Sequence, residues 1–309
     1  MIPNGVTAIK KHAFEGCAGL KSVTIPNSVT AIGENAFAVC TGLKSVTIGN
    51  SVTEIGPVAF EGCTSLMSVT LGNAVSTIGG SAFAGCTALT SIKIPDSVTT
   101  IGGRAFQNCA SLTSASIGSS VMSIGGGAFW GCSALTGIEI PNSVTEIGTL
   151  AFWNCTSLSN VTIGNSVETI GKDAFQNSPS IETITCKVAI PPSWSDMSMF
   201  TTNVYNHAPL HVPIDSERAY KSNQYWGQFL TIIGDVSEDD PDYSIYDVNG
   251  DGEVNMADVN GVIDIVIMGG NSGHTRVPAY EGEIVGDVNG DGEITIADVN
   301  AIINNILNQ

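Results

Sequence analysis

The sequence predicts a repeat solenoid, mainly β with short irregular or helical turns, followed by a small α-helical domain. Three observations carry that prediction. An alanine–phenylalanine pair recurs every 23 residues from Phe14 to Phe175. The segment from Cys186 to Asp235 drops the period but keeps aromatic and apolar residues. Near the C-terminus, a 14-residue stretch occurs twice, forty positions apart.

The repeats run from Ile2 to Thr185 without an insertion. Phenylalanine stands at Phe14, Phe37, Phe60, Phe83, Phe106, Phe129, Phe152 and Phe175. Cysteine follows three residues later from Cys17 to Cys155, with Ser178 in the eighth copy, and leucine follows from Leu20 to Leu158, with Ile181 last. A fixed period this short means a solenoid, in which each rung buries its apolar face only against its neighbours. Leu20-x-x-Val23-x-Ile25 is the strand signature of a leucine-rich repeat, and Val29 with Ile32 predicts a second short strand. The whole unit, AFxxCxxLxxVxIPxSVxxIG, resembles the BspA-type leucine-rich repeat of bacterial surface proteins over residues 1–185, about three fifths of the chain. That resemblance implies adhesion, to host matrix proteins or to another bacterial surface protein.

A terminal rung would expose its phenylalanine, cysteine and leucine, so a cap is physically required. Residues 186–234 supply it, through Ile190-Pro-Pro192, Leu210-His-Val-Pro213, Tyr220 and Trp226-Gly-Gln-Phe229. The chain starts in mid-repeat, so a secretion signal is expected upstream of Met1, in keeping with a secreted or cell-surface protein. No apolar run approaches membrane-spanning length. Charge separates the parts. Residues 1–185 hold 10 acids against 7 bases, 186–234 hold 3 against 3, and 235–309 hold 16 against 1. Of the net charge of −18, −15 therefore lies in residues 235–309, and no basic stripe suggests nucleic acid. Residues 235–244, charged and proline-containing, read as a linker.

Residues 245–309 contain the duplicated stretch. Oxygen side chains stand at loop positions 1, 3, 5, 9 and 12, with glycine at 6, the spacing by which twelve residues wrap a hard divalent cation. Asp247, Asn249, Asp251, Asn255 and Asp258 form one ligand set, with the backbone carbonyl of Glu253 at position 7. Asp287, Asn289, Asp291, Thr295 and Asp298 form the other, with Glu293 at position 7. Two calcium ions are expected. Each loop opens an amphipathic helix, Val259–Ile267 or Val299–Leu307, and neither is preceded by one. Loop-helix, twice, resembles a type I dockerin, which implies a cohesin-like partner and a scaffold or structural role in a polysaccharide-degrading, cellulosome-like assembly. Loop positions 10 and 11 depart from that family's usual Ser/Thr pair, being Met256-Ala257 and Ile296-Ala297.

The remaining chemistry is sparse. Periodic cysteines about 5 Å apart cannot cluster around a metal, and parallel side chains disfavour disulfides. They are expected to form a buried ladder of free thiols, unreactive in the native protein. On that view Cys86→Ser would cost about 1–3 kcal/mol for want of partners, and Cys86→Ala less. His12, His207, His211 and His274 occupy unrelated positions, with no nucleophile motif, so catalysis is not expected. The outward strand positions read as a hydroxyl-lined face on which Lys93 and Glu139 stand out. The position after each phenylalanine is Glu15, Ala38, Glu61, Ala84, Gln107, Trp130, Trp153 and Gln176. Polar or small residues there predict exposure, so Trp130 and Trp153 on consecutive rungs would form a flat apolar strip, a candidate ligand surface unless the cap covers them. Together these readings give a non-catalytic binding protein with a calcium-stabilised attachment module.

Overall fold

A 23-residue period places residue i beside residue i+23, and the backbone uses that neighbourhood to satisfy its polar groups. The computed structural model describes residues 2–194 and 199–236. In it each repeat forms one turn of a parallel β-solenoid. The second-strand motif forms two-residue strands, from Ala8–Ile9 through Ala31–Ile32 to Thr169–Ile170 and Ser193–Trp194, hydrogen-bonded into one nine-stranded sheet. The register is Ile9↔Ile32, Ile32↔Ile55, Ile55↔Ile78 and onward.

The longer strands alternate as their sequence requires. In Ser22–Ile25 and Ser45–Ile48, valine and isoleucine point inward while the serine and threonine between them face out. These strands do not form one uninterrupted sheet, however. They divide into groups of three, two and five, with breaks after Ser68–Thr70 and after Ser114–Ser116. Both strands that precede a break hold their inward residue, Val69 or Ala115, only half-buried.

The core is a set of columns. Phe37 to Phe175 are fully buried, and consecutive rings from Phe14 to Phe200 stack with centroids 4.9 to 5.5 Å apart and planes within 14°. Each such pair adds about 0.5–1.5 kcal/mol beyond its burial. Close approach of the turns explains the glycine that follows the second strand on seven consecutive rungs, from Gly33 to Gly171; on the first rung, with no earlier turn beside it, Lys10 holds the place. A Cβ on Gly102 would lie 2.6 Å from Gly80 N and 2.7 Å from Gly79 C.

The cap continues the solenoid rather than plugging it. Ser193–Trp194 adds to the nine-stranded sheet against Thr169–Ile170, and Phe200 stacks on Phe175. The offsets grow from 23 to 24 and 25 residues, which is what erases the period in the sequence. The longer strand Thr183–Cys186 pairs with Leu210–Pro213. The ring stack then ends, because Tyr205 and Phe229 meet Phe200 edge-on at 89° and 73°. Buried Trp226 donates its indole N–H to Pro192 O at 3.1 Å, and buried Tyr220 donates to Val188 O at 2.8 Å. The last strand, Ile232–Val236, takes in the first two residues of the predicted linker.

The chain divides into two compact units, and the larger, Met1–Val212 with Ser216–Ile233, holds the solenoid and most of its cap. The twelve predicted calcium ligands, from Asp247 to Asp298, lie outside the described residues.

Candidate ligand surface

Inside the solenoid, polar chemistry is consumed by the fold. All eight cysteines are free, and seven are buried. The exception is Cys17, exposed on the first rung, which corrects the expectation of a wholly buried ladder: no earlier rung covers it among the described residues. The thiols are more than apolar filler. Cys63 Sγ donates to Phe37 O at 3.2 Å, Cys86 to Phe60 O at 3.3 Å, and Cys109 to Phe83 O at 3.2 Å, one rung back each time. Ser178 reproduces the bond, donating to Phe152 O at 3.1 Å and accepting from the Cys155 N–H at 3.0 Å. Burial pushes the thiols of Cys63, Cys109 and Cys155 up to about 12, so the nucleophilic thiolate is suppressed. Cys186 leaves this column. It sits opposite Ile163 on its strand and contacts Tyr220 Oη at 3.1 Å.

The outward faces are the remaining features among the described residues. On the strand face, Lys93 and Glu139 are exposed and lie one rung to either side of Ser116. Beside them, where pairing lapses after Ser114–Ser116, a polar cleft of about 570 Å³ opens between Asp96, Ser119, Glu139 and Lys187. Asp96 accepts from the Ser119 N–H at 2.8 Å, and this bond holds its carboxyl below the ordinary value. At the first rung, a larger cleft of about 630 Å³ is lined by Ile2, Val6, Ile9, Phe14 and Leu20, the apolar face opposite the one that the second rung covers.

The phenylalanine turn builds the third surface. Two positions in every rung take the left-handed backbone conformation, two residues before and two after the phenylalanine. Asn and Gly dominate the second of these, as the conformation prefers, yet Val39 occupies it at φ 57°. Between them lies the column holding Trp130 and Trp153. Expected exposure is corrected here: Ala38 and Ala84 are buried, at 2% and 6%, and both tryptophans are half-buried, because the turn tucks this side chain against its neighbours. The indoles stand 5.1 Å apart, as the rung spacing requires, but at 73° to one another. They make a corner, not the flat strip the spacing suggested. Trp130 leans over Gly127, where a Cβ would meet Trp130 Cε3 at 3.5 Å and Arg104 Cγ at 3.3 Å.

Of the histidines, His12 pairs with Glu15 at 2.6 Å on the exposed first rung, and His207 Nδ1 meets Asn203 O in the cap. Among the described residues no three metal-ligating side chains converge, and no helix is long and apolar enough to cross a membrane.

Comparison with known proteins agrees with this architecture. The family described as "BspA type Leucine rich repeat region" matches residues 1–112 and 76–191 in six copies, and the chain belongs to it. No curated protein matches. Among solved structures, a leucine-rich repeat protein from Bacteroides ovatus is 27% identical, with a TM-score of 0.57 over 74% of this chain and 64% of that one. This chain thus spans less than two thirds of that relative. A leucine rich cell surface protein from Faecalibacterium prausnitzii is 25% identical over 75% of this chain and 87% of that one, with a TM-score of 0.33. The leucine-rich repeat protein TpLRR of T. pallidum is 20% identical over 74% and 91%, with a TM-score of 0.43. The family consists of leucine-rich repeat proteins, which are generally non-enzymatic and bind protein partners.

Proposed function

We propose that this chain is a non-catalytic, secreted or cell-surface binding protein. The solenoid displays a recognition surface, and the dockerin-like module, held by two calcium ions, attaches it to a protein partner. One observation carries the reading: the core's polar groups, thiols included, are spent on rung-to-rung bonds, which leaves chemistry to the outward columns. The calcium sites rest on the two ligand sets, Asp247 to Asp258 and Asp287 to Asp298. Without the ions, carboxylates would converge with no counter-charge on helices too short to hold them.

Titration calorimetry on the full chain is expected to give two sites, and chelation to remove helicity while the solenoid's thermal transition persists. Fewer than two sites, or a circular dichroism spectrum unmoved by chelator, would refute the module. Binding to immobilised matrix proteins that persists in chelator would place recognition in the solenoid. Capture of a secreted bacterial cohesin only with calcium would favour the second reading, a structural subunit of a polysaccharide-degrading assembly. That reading is supported by the duplicated loop-helix pattern and opposed by Met256-Ala257 and Ile296-Ala297, which remove the usual hydroxyl contacts.

A further inference from the structure

On rungs five to eight the phenylalanine turns carry a different chemistry from the rest. The two columns after phenylalanine read Gln107-Asn108, Trp130-Gly131, Trp153-Asn154 and Gln176-Asn177. None of these side chains ionises, whereas Glu15 and Glu61 hold the same column on rungs one and three. Amides stand at the positions that flank the two tryptophans along the column. Asn108 folds over Gly131, which a Cβ would push into Asn108 Oδ1, and Asn177 Nδ2 donates to Asn154 Oδ1 at 2.6 Å. That pairing orients both amides. Asn154 Nδ2 and Asn177 Oδ1, a donor and an acceptor, make no other bond among the described residues.

Backbone bonds fix the spacing of this strip. Asn108 N donates to Trp130 O at 2.7 Å, Gly131 N to Trp153 O at 2.8 Å, and Asn154 N to Gln176 O at 3.0 Å. Any ligand therefore meets a preorganised row that repeats about every 5 Å. Extended polysaccharides repeat at nearly the same interval, one pyranose per step. A pyranose also needs what the strip offers: an aromatic face for its C–H surface, an aromatic edge beside it, and amides for its hydroxyls. The two columns themselves carry no charge, and Arg104 and Asp173, two residues before Phe106 and Phe175, stand beside them with opposite signs, so the row as a whole favours no net-charged polymer.

We infer that Trp130, Trp153 and the flanking amides Asn108, Asn154 and Asn177 form a binding site for a neutral, extended polysaccharide, read one sugar per rung. This names the ligand class for the solenoid surface and rests on the reading that the solenoid is the recognition element.

The test is affinity electrophoresis of the full chain through gels containing mixed-linkage β-glucan, xylan, mannan or polygalacturonate, with tryptophan fluorescence titration in parallel. Retardation by at least one neutral polymer and not by polygalacturonate is expected, unchanged by calcium chelation. Trp130→Gln with Trp153→Gln, which installs the residue native to Gln107 and Gln176, should weaken it about tenfold or more, as loss of a binding hot spot does. The phenylalanine pair Trp130→Phe, Trp153→Phe should keep part of the affinity and confirm that the rings act rather than the fold. Three results would overturn the site: retardation by no neutral polymer, equal retardation of a glutamine double variant that melts like the native protein, or binding that vanishes with chelator. Protein binding that survives in any of these cases would leave the solenoid as the recognition element and remove only the sugar.

Discussion

At the scale of single residues, the turn around each phenylalanine sets the sharpest constraints. Val39 holds a left-handed φ of 57° with a β-branched side chain that is 51% exposed, so it bears the strain and gains little from burial. Asn108, Asn154 and Asn177 occupy the equivalent position. Val39→Asn is therefore expected to raise stability by about 1 kcal/mol, read as a higher urea midpoint; a lower midpoint would show that the valine packs usefully. The thiol column yields a second prediction, opposite in order to the one the sequence suggested. Ser178 shows that a hydroxyl finds both an acceptor and a donor in this slot. Cys86→Ser should cost less than about 1 kcal/mol, and Cys86→Ala more than the serine, since it loses the bond to Phe60 O and leaves a void. Native labelling with a thiol reagent should modify Cys17 alone, and labelling of several others would contradict the burial of the column.

Elements here are rungs, and what holds them is closeness of backbone. A Cβ at Gly102 would strike the previous turn, while one at Gly103 would come no nearer than 3.3 Å to Gly126 O and 3.9 Å to Gly126 N. Gly102→Ala should cost about 3 kcal/mol, and Gly103→Ala far less, by thermal denaturation; equal effects would mean the turns can separate. The period made both strands, the phenylalanine column and the thiol column legible in the sequence, because one register repeated eight times leaves a single way to align the chain. It could not show the breaks after Ser68–Thr70 and Ser114–Ser116, where Val69 and Ala115 are only half-buried. Nor could it show that the cap adds a further rung, since insertions of one and two residues conceal Ser193 and Phe200 from any fixed spacing. For the tryptophans the spacing foretold 5 Å but not the tilt, because ring planes depend on side-chain torsions that a backbone register does not fix.

For the molecule as a whole, the thiol column links stability to alkaline pH. A thiol ordinarily titrates near 9, and burial moves Cys63, Cys109 and Cys155 to about 12. Their stabilising contribution is complete below 9 and is lost as pH rises towards 12, because the unfolded chain then holds fewer protons than the native one. Each thiol gives a slope of about 1.4 kcal/mol per pH unit in that window. Urea midpoints should fall between pH 8 and 10.5, and less steeply once these three cysteines are replaced by serine. Identical slopes for the two proteins would assign the decline to other groups.

The exact register of the rungs has a consequence for heredity. Because Ile55 pairs with Ile32 and Ile78 alike, a deletion or duplication of 23 codons rejoins equivalent backbone partners and keeps the register. Neighbouring repeats of one length and one pattern are also the substrate on which unequal crossing-over acts. Lineages of this protein can thus gain or lose whole turns in one genetic event, each changing the solenoid by about 5 Å while the folding problem stays the same. Array length becomes a trait that varies in counted steps, adjustable faster than any residue on its surface.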